Sequence, residues 1–393
     1  MTKTISAKTQ SIKTTLAQPD FSGTANFKSL ADGVERASTV VFDSVEKLRQ
    51  RDYRDKQQYT YGLLGTPTSR RLECQLAAID GVAHAILFPS GLSAISTVML
   101  SLLKSGDRML LPSNAYAPAL EVANYMQRQF GVEFALYDPM NPASIVITLN
   151  TKLLWIETPG SVTMEVSDLA ALAKIAHAHQ LLVAIDATWS AGIALPVFEL
   201  GADISIQALT KYQSGGSDVM LGCITTANDA VYSQLLDTAV ILGIGVSPED
   251  CRLILRSLPH YNLRYHAQDK AARQVAAWLC KHEAVEQVLH PAINGSPGHD
   301  VWRRDFTAAA SLFSVVFKPN ISQSKIDRCV ESLRLFHLGF SWGGAVSLVV
   351  PFARNQMNAA YSYEGSLVRF YIGLEDVNDL LLDIAQAFNS LKE

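Results

Sequence analysis

Between Tyr61 and Thr226 the chain repeats short, largely apolar runs that are separated by helical segments. The runs HAILFP, RMLLP, LLWIET and LLVAIDATW are continuous rather than alternating in polarity, which is typical of strands buried on both faces. The segment SDLAALAKIAHAHQ, which we expect Ser167 to cap, is one of the intervening helices. Strands joined by such helices form right-handed βαβ units, so the pattern predicts an α/β fold around a parallel-rich sheet.

The pattern changes on both sides of this region. Residues 1–60 are polar, and apart from a short helix predicted around Val40 to Leu48 they lack a core pattern. Towards the C-terminus, SLFSVVFK, SLVVPF and SLVRFYIGL predict strands, whereas YHAQDKAARQVAAWLCKHEAV and VNDLLLDIAQAFNSLK predict helices. We therefore expect an N-terminal arm that contacts a neighbouring subunit (1–60), a large α/β domain (61–250) and a smaller α+β domain (251–393).

Composition narrows the functional classes. The formal net charge is −4 and no basic cluster occurs, so nucleic acid and membrane surfaces are not expected partners. Charged residues make up 18% of the chain against about 25% in ordinary globular proteins, which favours a large core or a surface covered by another subunit. The five cysteines form no CxxC pair and no long apolar segment occurs, so we expect a cytoplasmic protein without a metal site.

Three residues with reactive or ligand-binding groups follow predicted strands. Lys211 comes after ISIQALT, Asp186 lies in LLVAIDATW, and Gly91 lies in ILFPSGLSA. Each also has an ordinary explanation, as a solvated lysine, a helix cap or a turn. Functional residues of open α/β sheets nevertheless gather at the carboxyl ends of the strands, and three candidates on one sheet favour a shared site.

These three residues match the needs of pyridoxal phosphate. Its aldehyde takes a lysine amine, its pyridinium nitrogen needs a carboxylate, and its phosphate binds backbone N–H groups at a helix N-terminus. Lys211, Asp186 and the SGLS turn at Ser90 to Ser93 supply these groups. Thr210, which precedes the lysine, can donate a hydroxyl hydrogen bond to the phosphate, and Tyr116 in SNAYAPA can stack on the ring.

Six segments closely resemble the bacterial cystathionine β-lyase branch of the cystathionine γ-synthase family: ETPGSVTMEV, IDATWSAG, SIQALTKY, GHDVWRRDFTAAASLFS, FSWGGAVSL and VRFYIGLEDVNDL. PGSVTMEV is the informative piece for the branch, because sibling enzymes typically carry a PTNP-like segment there. The resemblance covers nearly the whole chain after about Gln58. It implies a fold-type I, aspartate aminotransferase-like enzyme, assembled as a homotetramer of two dimers with active sites at the dimer interface.

The resemblance also implies roles for single residues. Lys211 would bond covalently to the cofactor aldehyde, Asp186 would pair with the pyridinium nitrogen, and Tyr116 would stack on the ring. Arg369 would bind the substrate α-carboxylate through a bidentate fork. The remaining implied contacts are with the phosphate (Gly91, Leu92, Thr210, and Tyr61 of a neighbouring subunit) and with the substrate (Ser341 and Trp342).

Two positions depart from the family pattern. Leu63 stands where relatives carry an arginine that helps hold the phosphate across the subunit interface, so both cofactor affinity and cystathionine preference are in question. Arg70 and Arg71 lie nearby, but the helical periodicity of SRRLECQLAAI favours surface positions for them. In GGSD, Gly216 occupies the position before the serine where relatives commonly have a histidine, and the sequence offers no physical reason for that change.

We therefore expect a carbon–sulfur lyase that cleaves L-cystathionine by α,β-elimination to homocysteine, pyruvate and ammonia. Lys211 would move the Cα proton, and Lys211 or Tyr116 would protonate the leaving thiolate. The alternatives are γ-elimination or γ-replacement as in methionine γ-lyases, γ-synthases and sulfhydrylases, amino-acid racemisation, and a non-catalytic cofactor-binding protein. The intact set of Lys211, Asp186, Tyr116 and Arg369 disfavours the last of these.

Overall fold

Two β-sheets with helices packed on them organise the chain. The structure is a computed structural model that describes residues 11–18, 29–31, 33–354, 357 and 362–391. Much of the predicted N-terminal arm, residues 1–10, 19–28 and 32, lies outside the described residues. Within the arm, helix α1 (Ile12–Ala17) and helix α2 (Val45–Arg49) are described, and α2 is shorter than the helix predicted there.

The first sheet has seven strands in the order β1-β7-β6-β5-β4-β2-β3. Six strands are mutually parallel, whereas β7 is antiparallel to both of its neighbours, and the sequence patterns did not predict β7. The strands are β1 (His84–Phe88), β2 (Arg108–Pro112), β3 (Glu133–Tyr137), β4 (Thr151–Glu157), β5 (Leu182–Asp186), β6 (Ile204–Gln207) and β7 (Gly222–Thr226).

Helices cover both faces of this sheet. They are α3 (Pro67–Asp80), α4 (Gly91–Leu102), α5 (Ala117–Phe130), α6 (Leu169–Ala178) and α7 (Asp229–Ile241). In β5, Val183 and Ile185 enter one hydrophobic cluster and Ala184 enters the cluster on the opposite face. The continuous apolar runs are therefore strands buried on both faces, as predicted, because successive side chains of a strand point to opposite sides.

The second sheet has five strands in the order β10-β11-β12-β9-β8, and only β10 and β11 pair in parallel. Its strands are β8 (Val285–Leu289), β9 (Leu312–Phe317), β10 (His337–Leu338), β11 (Leu348–Phe352) and β12 (Leu367–Tyr371). Three helices accompany it: α9 (His299–Asp305), α10 (Gln323–Glu331) and α11 (Val377–Phe388).

Helix α8 (Pro248–Leu279) connects the two halves and is longer than the helix predicted there. Its first part, with Ile254 and Leu258, packs in a cluster with α3, and its end, with Val275 and Leu279, packs in the core of the second sheet. The predicted boundary at residue 250 falls inside this helix, and the three-part division stays a prediction. No helix among the described residues combines the length and apolarity needed to cross a membrane.

The structure corrects two local predictions. Asp168, not Ser167, is the N-cap of α6, because the Asp168 carboxylate accepts the hydrogen bond of the Ala171 N–H at 2.9 Å. The predicted strand around Lys211 ends at Gln207, so Lys211 lies four residues beyond it in a turn. That turn still begins at the carboxyl end of β6, so Lys211 remains on the expected side of the sheet.

Candidate active site

Lys211 lies in a turn that is fixed from both sides. The Gly215 N–H donates to the Lys211 carbonyl at 3.0 Å, and the Lys211 N–H donates to the Ala208 carbonyl at 3.1 Å. Gly343, from the segment before β11, packs directly on the Lys211 backbone, because a Cβ built on Gly343 would lie 2.4 Å from the Lys211 carbonyl carbon. The SWGG segment therefore has to carry glycine here, where φ is also 95°.

The Lys211 amine has no acid partner among the described ion pairs. Its Nζ donates to the Ser341 hydroxyl at 2.8 Å and lies 5.5 Å from the centre of the Trp342 ring. Burial and, to a smaller extent, the Arg369 charge lower the pKa of Lys211 to about 8, while Asp186 opposes the shift. The structure thus brings Lys211, Ser341 and Trp342 together and gives the lysine an accessible neutral form, while their roles in a site stay predictions.

A buried carboxyl group, Glu157, and a half-buried one, Asp186, lie side by side at the ends of β4 and β5. Glu157 is the register partner of Asp186 in the parallel pair. Burial raises the pKa of each group, and the charge of Asp186 raises the pKa of Glu157 further. The Thr188 N–H donates to Asp186 at 3.0 Å, which holds this carboxylate at the strand end. A cationic ring nitrogen beside Asp186 would supply the positive charge that such a carboxylate needs.

Glu157 is a site residue that the sequence reasoning missed. Its carboxylate accepts the hydrogen bond of the Tyr116 N–H at 2.7 Å, and so it fixes the residue that caps α5. Glu157 closes the apolar run LLWIE just as Asp186 closes LVAID. Its position at a strand end was therefore a usable signal.

Tyr116 and Arg369 face the same group of residues. Burial, followed by the charges of Asp186 and Glu157, raises the pKa of Tyr116, while Arg369 lowers it. The phenol is therefore neutral near pH 7 and can donate a proton, and its side chain remains 43% exposed.

Arg369 is a buried cation without a counter-charge. It lies in the middle of β12, and its guanidinium donates to the Phe340 carbonyl at 2.5 Å and sits 5.8 Å from the Phe352 ring centre. Burial lowers the pKa of Arg369 to about 10, and no ion pair of the described residues includes it. A buried unpaired guanidinium is costly. Its geometry suits a carboxylate brought by a ligand.

The N-terminus of α4 forms a narrow cradle. Ser90 caps the helix by accepting from the Ser93 N–H at 3.0 Å, whereas the N–H groups of Gly91 and Leu92 lie in the first turn, where intrahelical acceptors are absent. A Cβ on Gly91 would lie 2.7 Å from the Ala208 Cβ, so only glycine allows this close approach. Such a cradle fits a phosphate group.

Thr210 is engaged within its own segment. Its hydroxyl donates to the Leu221 carbonyl at 3.2 Å and accepts from the Leu221 N–H at 3.1 Å. A contact with a phosphate would require the hydroxyl to rotate, so this role stays a prediction. Taken together, a lysine amine, a buried carboxylate, a stacking phenol and a helix N-terminus fit pyridoxal phosphate.

Tyr61 and Leu63 lie apart from this group. They line a surface depression of about 460 Å³ with Gly245 and Val246, and no other predicted site residue lines it. The Leu63 side chain packs on Gly245, since a Cβ there would lie 2.5 Å from Leu63 Cδ1. The contact of Tyr61 with the phosphate of a neighbouring subunit stays a prediction.

The surface position predicted for Arg70 is wrong. Its guanidinium is buried, donates to the Leu64 carbonyl at 2.8 Å and pairs with Glu73 at 3.1 Å. Arg70 is therefore committed to holding the loop that carries Leu63 rather than to a phosphate.

Comparisons with known proteins agree on a family. The family described as Cys/Met metabolism PLP-dependent enzyme matches residues 13–389. Cystathionine beta-lyase MetC of Escherichia coli is 35% identical over 365 residues, covering 90% of this chain and 92% of the relative. A putative cystathionine beta-lyase of Rhizobium johnstonii is 38% identical over 361 residues and covers 90% of each chain. An L-alanine/L-glutamate racemase of Wolbachia pipientis is 33% identical, covering 85% of this chain and 84% of its own.

Solved structures show the same architecture. The crystal structure of metB from Corynebacterium glutamicum superposes with a TM-score of 0.89 at 28% identity, covering 98% of this chain and all of the other. Cystathionine gamma-lyase of Lactobacillus plantarum, complexed with L-serine, gives a TM-score of 0.88 at 26% identity with the same coverage. These similarities and the two sheets confirm the predicted fold class.

Proposed function

The chain belongs to the Cys/Met metabolism PLP-dependent enzymes, and from this membership we propose that it is a cystathionine β-lyase. The reaction would convert L-cystathionine and water into homocysteine, pyruvate and ammonia. The family predicted from the sequence motifs is confirmed, and its cofactor is pyridoxal 5'-phosphate. The carbon–sulfur lyase activity rests on the relatives that bear that name.

One observation supports the proposal most directly. The Lys211 amine, with its pKa lowered to about 8, lies within the electrostatic influence of both the Arg369 guanidinium and the Asp186 carboxylate. A lysine close to neutrality can exchange protons near physiological pH. An unpaired arginine beside it can hold the carboxylate of an amino acid.

Binding and proton removal involve different residues. Arg369 binds the substrate α-carboxylate through two N–H groups, which orients the Cα–H bond. When bound, pyridoxal phosphate withdraws electrons from Cα of the amino acid attached to it. Lys211 Nζ takes the proton from Cα as a general base, and its hydrogen bond to Ser341 keeps the amine in position at 2.8 Å when the site is free.

Cleavage follows from the same groups. The Cβ–S bond breaks, its electron pair leaves with sulfur, and the proton that the thiolate requires comes from the Lys211 ammonium or from the neutral Tyr116 phenol. Asp186 would stay ionised opposite the cationic ring nitrogen of the bound cofactor and would hold the proton there. Hydrolysis of the three-carbon fragment with one water gives pyruvate and ammonia, so the atoms of the overall reaction balance.

Product analysis tests this proposal. Purified holoenzyme is incubated separately with cystathionine, cysteine, methionine and alanine, and pyruvate, 2-oxobutyrate and optical purity are measured. We expect pyruvate and homocysteine from cystathionine in equal amounts, and no product from the Lys211→Gln variant. Production of 2-oxobutyrate from methionine would instead assign γ-elimination.

Racemisation is the second candidate, and Leu63 favours it. This leucine removes a charge where relatives carry an arginine close to the far end of the substrate, and the Wolbachia relative is a racemase. A racemase needs only removal and return of the Cα proton, without a leaving group. A rate of L-alanine racemisation that exceeds the rate of pyruvate formation from cystathionine would support this candidate over the lyase.

A further inference from the structure

A cavity of about 250 Å³ lies behind the Lys211 turn, between the loop of residues 214–219 and one face of α8. The helix contributes side chains at intervals of three and four residues, as a single helical face does. The residues that matter below are Ser214, Gly216, Asp218, Arg256, His260 and Arg264, and we refer to this cavity as the Arg264 pocket.

Arg264 brings an uncompensated charge to this pocket. Its Nη2 donates to the Ser257 hydroxyl at 2.6 Å, but its Nη1 is buried and has no hydrogen-bond partner. No ion pair of the described residues includes Arg264, and burial lowers its pKa. A guanidinium does not lose its proton in proteins, so this half-buried charge favours a counter-charge.

The pocket wall does not supply that counter-charge. Asp218 is the one acid among the lining residues, and its Oδ1 lies against Gly216, 2.4 Å from where a Cβ would be. It forms no ion pair with Arg264. Arg256 and His260 are exposed at the mouth and face the same space. The lining therefore carries two arginines and a histidine against one carboxylate, which favours an anion.

Gly216 explains why the space exists. It lines the cavity and carries no side chain, so the space beside it stays open. Gly215 cannot fill it, because a Cβ there would lie 2.0 Å from Arg264 Nη1 and φ is 65°. At Gly216, by contrast, the nearest atom is the end of an exposed Asp218 side chain, so a larger residue fits after that side chain moves.

We propose that the Arg264 pocket binds a small inorganic oxyanion such as phosphate or sulfate. The guanidinium of Arg264 provides the donor, Arg256 provides a second positive charge at the mouth, and the absent side chain of Gly216 provides the room. The site is separate from Arg369 and from the N-terminus of α4. The inference does not depend on which amino acid the enzyme cleaves.

An anion bound in the Arg264 pocket would affect the Lys211 turn. Gly215 packs on the Arg264 guanidinium, and its N–H donates to the Lys211 carbonyl at 3.0 Å. An anion that fixes Arg264 therefore also restrains the loop that carries the lysine.

The test uses the holoenzyme, because bound cofactor then fills the phosphate cradle of α4. The thermal unfolding midpoint is measured with increasing phosphate at constant ionic strength, for the wild type and for Arg264→Gln, Gly216→His and Arg328→Gln. Arg328 is an exposed arginine on α10, so its variant controls for the loss of one positive charge. In the wild type and in Arg328→Gln we expect a rise of about 1.5–2 °C at roughly ten times the dissociation constant.

Arg264→Gln removes the donor and Gly216→His removes the room, so both should lose most of that rise. An equal rise in Arg264→Gln would overturn the proposal, because phosphate would then act elsewhere, for example at Arg369. Absence of a rise in the wild type would overturn it as well, and would be the outcome if an acidic side chain of a second copy occupied the pocket. Crystals soaked in selenate should show an anomalous peak within hydrogen-bonding distance of the Arg264 guanidinium.

Discussion

Arg369 and Lys211 show how burial gives ordinary side chains a chemical task. Arg369 is buried and Lys211 half-buried, and neither has an acid partner among the described ion pairs. The Arg369 charge lowers the pKa of Lys211 and Tyr116, and the Lys211 charge lowers the pKa of Asp186. Two like charges in one place destabilise the empty protein. They are stabilised when a ligand carboxylate reaches the arginine, so the cost of burial becomes binding energy.

Replacing Arg369 by glutamine should weaken substrate binding. A hydrogen bond to a charged group contributes about 1.5–3 kcal/mol, so KM for the substrate should rise about 10- to 150-fold with a smaller change in kcat. Steady-state kinetics with cystathionine checks this. Ser341→Ala, which removes only a neutral partner of Lys211, serves as the comparison and should leave KM within a few-fold. An unchanged KM in Arg369→Gln would remove this arginine from the site.

Glu157 should act through Tyr116. Its carboxylate holds the Tyr116 N–H at 2.7 Å, and loss of such a bond costs about 0.5–1.5 kcal/mol, or roughly 2- to 12-fold in kcat. Glu157→Leu should show this loss, whereas Glu157→Gln, which keeps an acceptor oxygen and is neutral, should retain most activity. In a Tyr116→Ala background the Glu157→Leu substitution should have little further effect. Additive losses would mean that Glu157 supports the fold and not the tyrosine.

At the scale of elements, helix α3 ends in a buried acid. Asp80 accepts hydrogen bonds from Thr225 at 2.6 Å and Gln207 at 3.0 Å, and burial raises its pKa from 3.8 to about 6. Because the folded state holds this proton more tightly than the unfolded state, the stabilising contribution is complete below about pH 4. It is lost as pH rises through 6.

Asp80→Asn should therefore flatten the pH dependence of stability. Between pH 4 and pH 7 the wild type should lose about 2.5 kcal/mol of unfolding free energy relative to this variant, which corresponds to most of the shift of about two pKa units. Thermal midpoints across that range give the measurement, and Glu121→Gln on the exposed side of α5 is the matched control. Parallel curves for the wild type and Asp80→Asn would contradict the pKa of about 6.

The elements also show how far sequence reasoning reaches. Continuous apolar runs predicted strands β1, β2, β4 and β5, because a strand buried on both faces carries apolar residues at successive positions. The sequence patterns did not predict strand β7, since its place between β1 and β6 depends on pairing with distant residues. Helix α8 continues through Pro259, which local rules treat as a helix breaker.

The candidate site divides in the same way. Lys211, Asp186, Gly91 and Tyr116 follow strands or open helices, so topology placed them together before any contact was known. The sequence reasoning missed Glu157, because this residue is the last one of an apolar run and was assigned to the strand. The packing of Gly343 on Lys211 joins residues more than 130 positions apart, and no local pattern contains it.

At the scale of the whole molecule, Leu63 is the residue whose role depends on how subunits assemble. It lies with Tyr61 in a depression away from the other site residues, and Arg70 is already paired with Glu73 and cannot replace the missing arginine. If the predicted homotetramer places this segment against the phosphate of a neighbouring subunit, that phosphate has one charged partner fewer than in relatives.

Leu63→Arg should therefore bind the cofactor more tightly. One charge-assisted hydrogen bond of about 1.5–3 kcal/mol corresponds to a 10- to 150-fold lower dissociation constant for pyridoxal phosphate. Equilibrium dialysis of the apoenzyme with cofactor measures it, with Leu63→Gln as the uncharged control. Equal affinities of all three proteins would argue that this segment does not reach a phosphate.

The central claim is the covalent bond between Lys211 Nζ and the aldehyde carbon of the cofactor. Reduction of the holoenzyme with borohydride, followed by proteolysis and mass spectrometry of the peptides, measures that bond directly. We expect the reduced cofactor mass on the peptide that contains Lys211 and on that lysine alone. The added mass on another residue, or on none, would contradict the account.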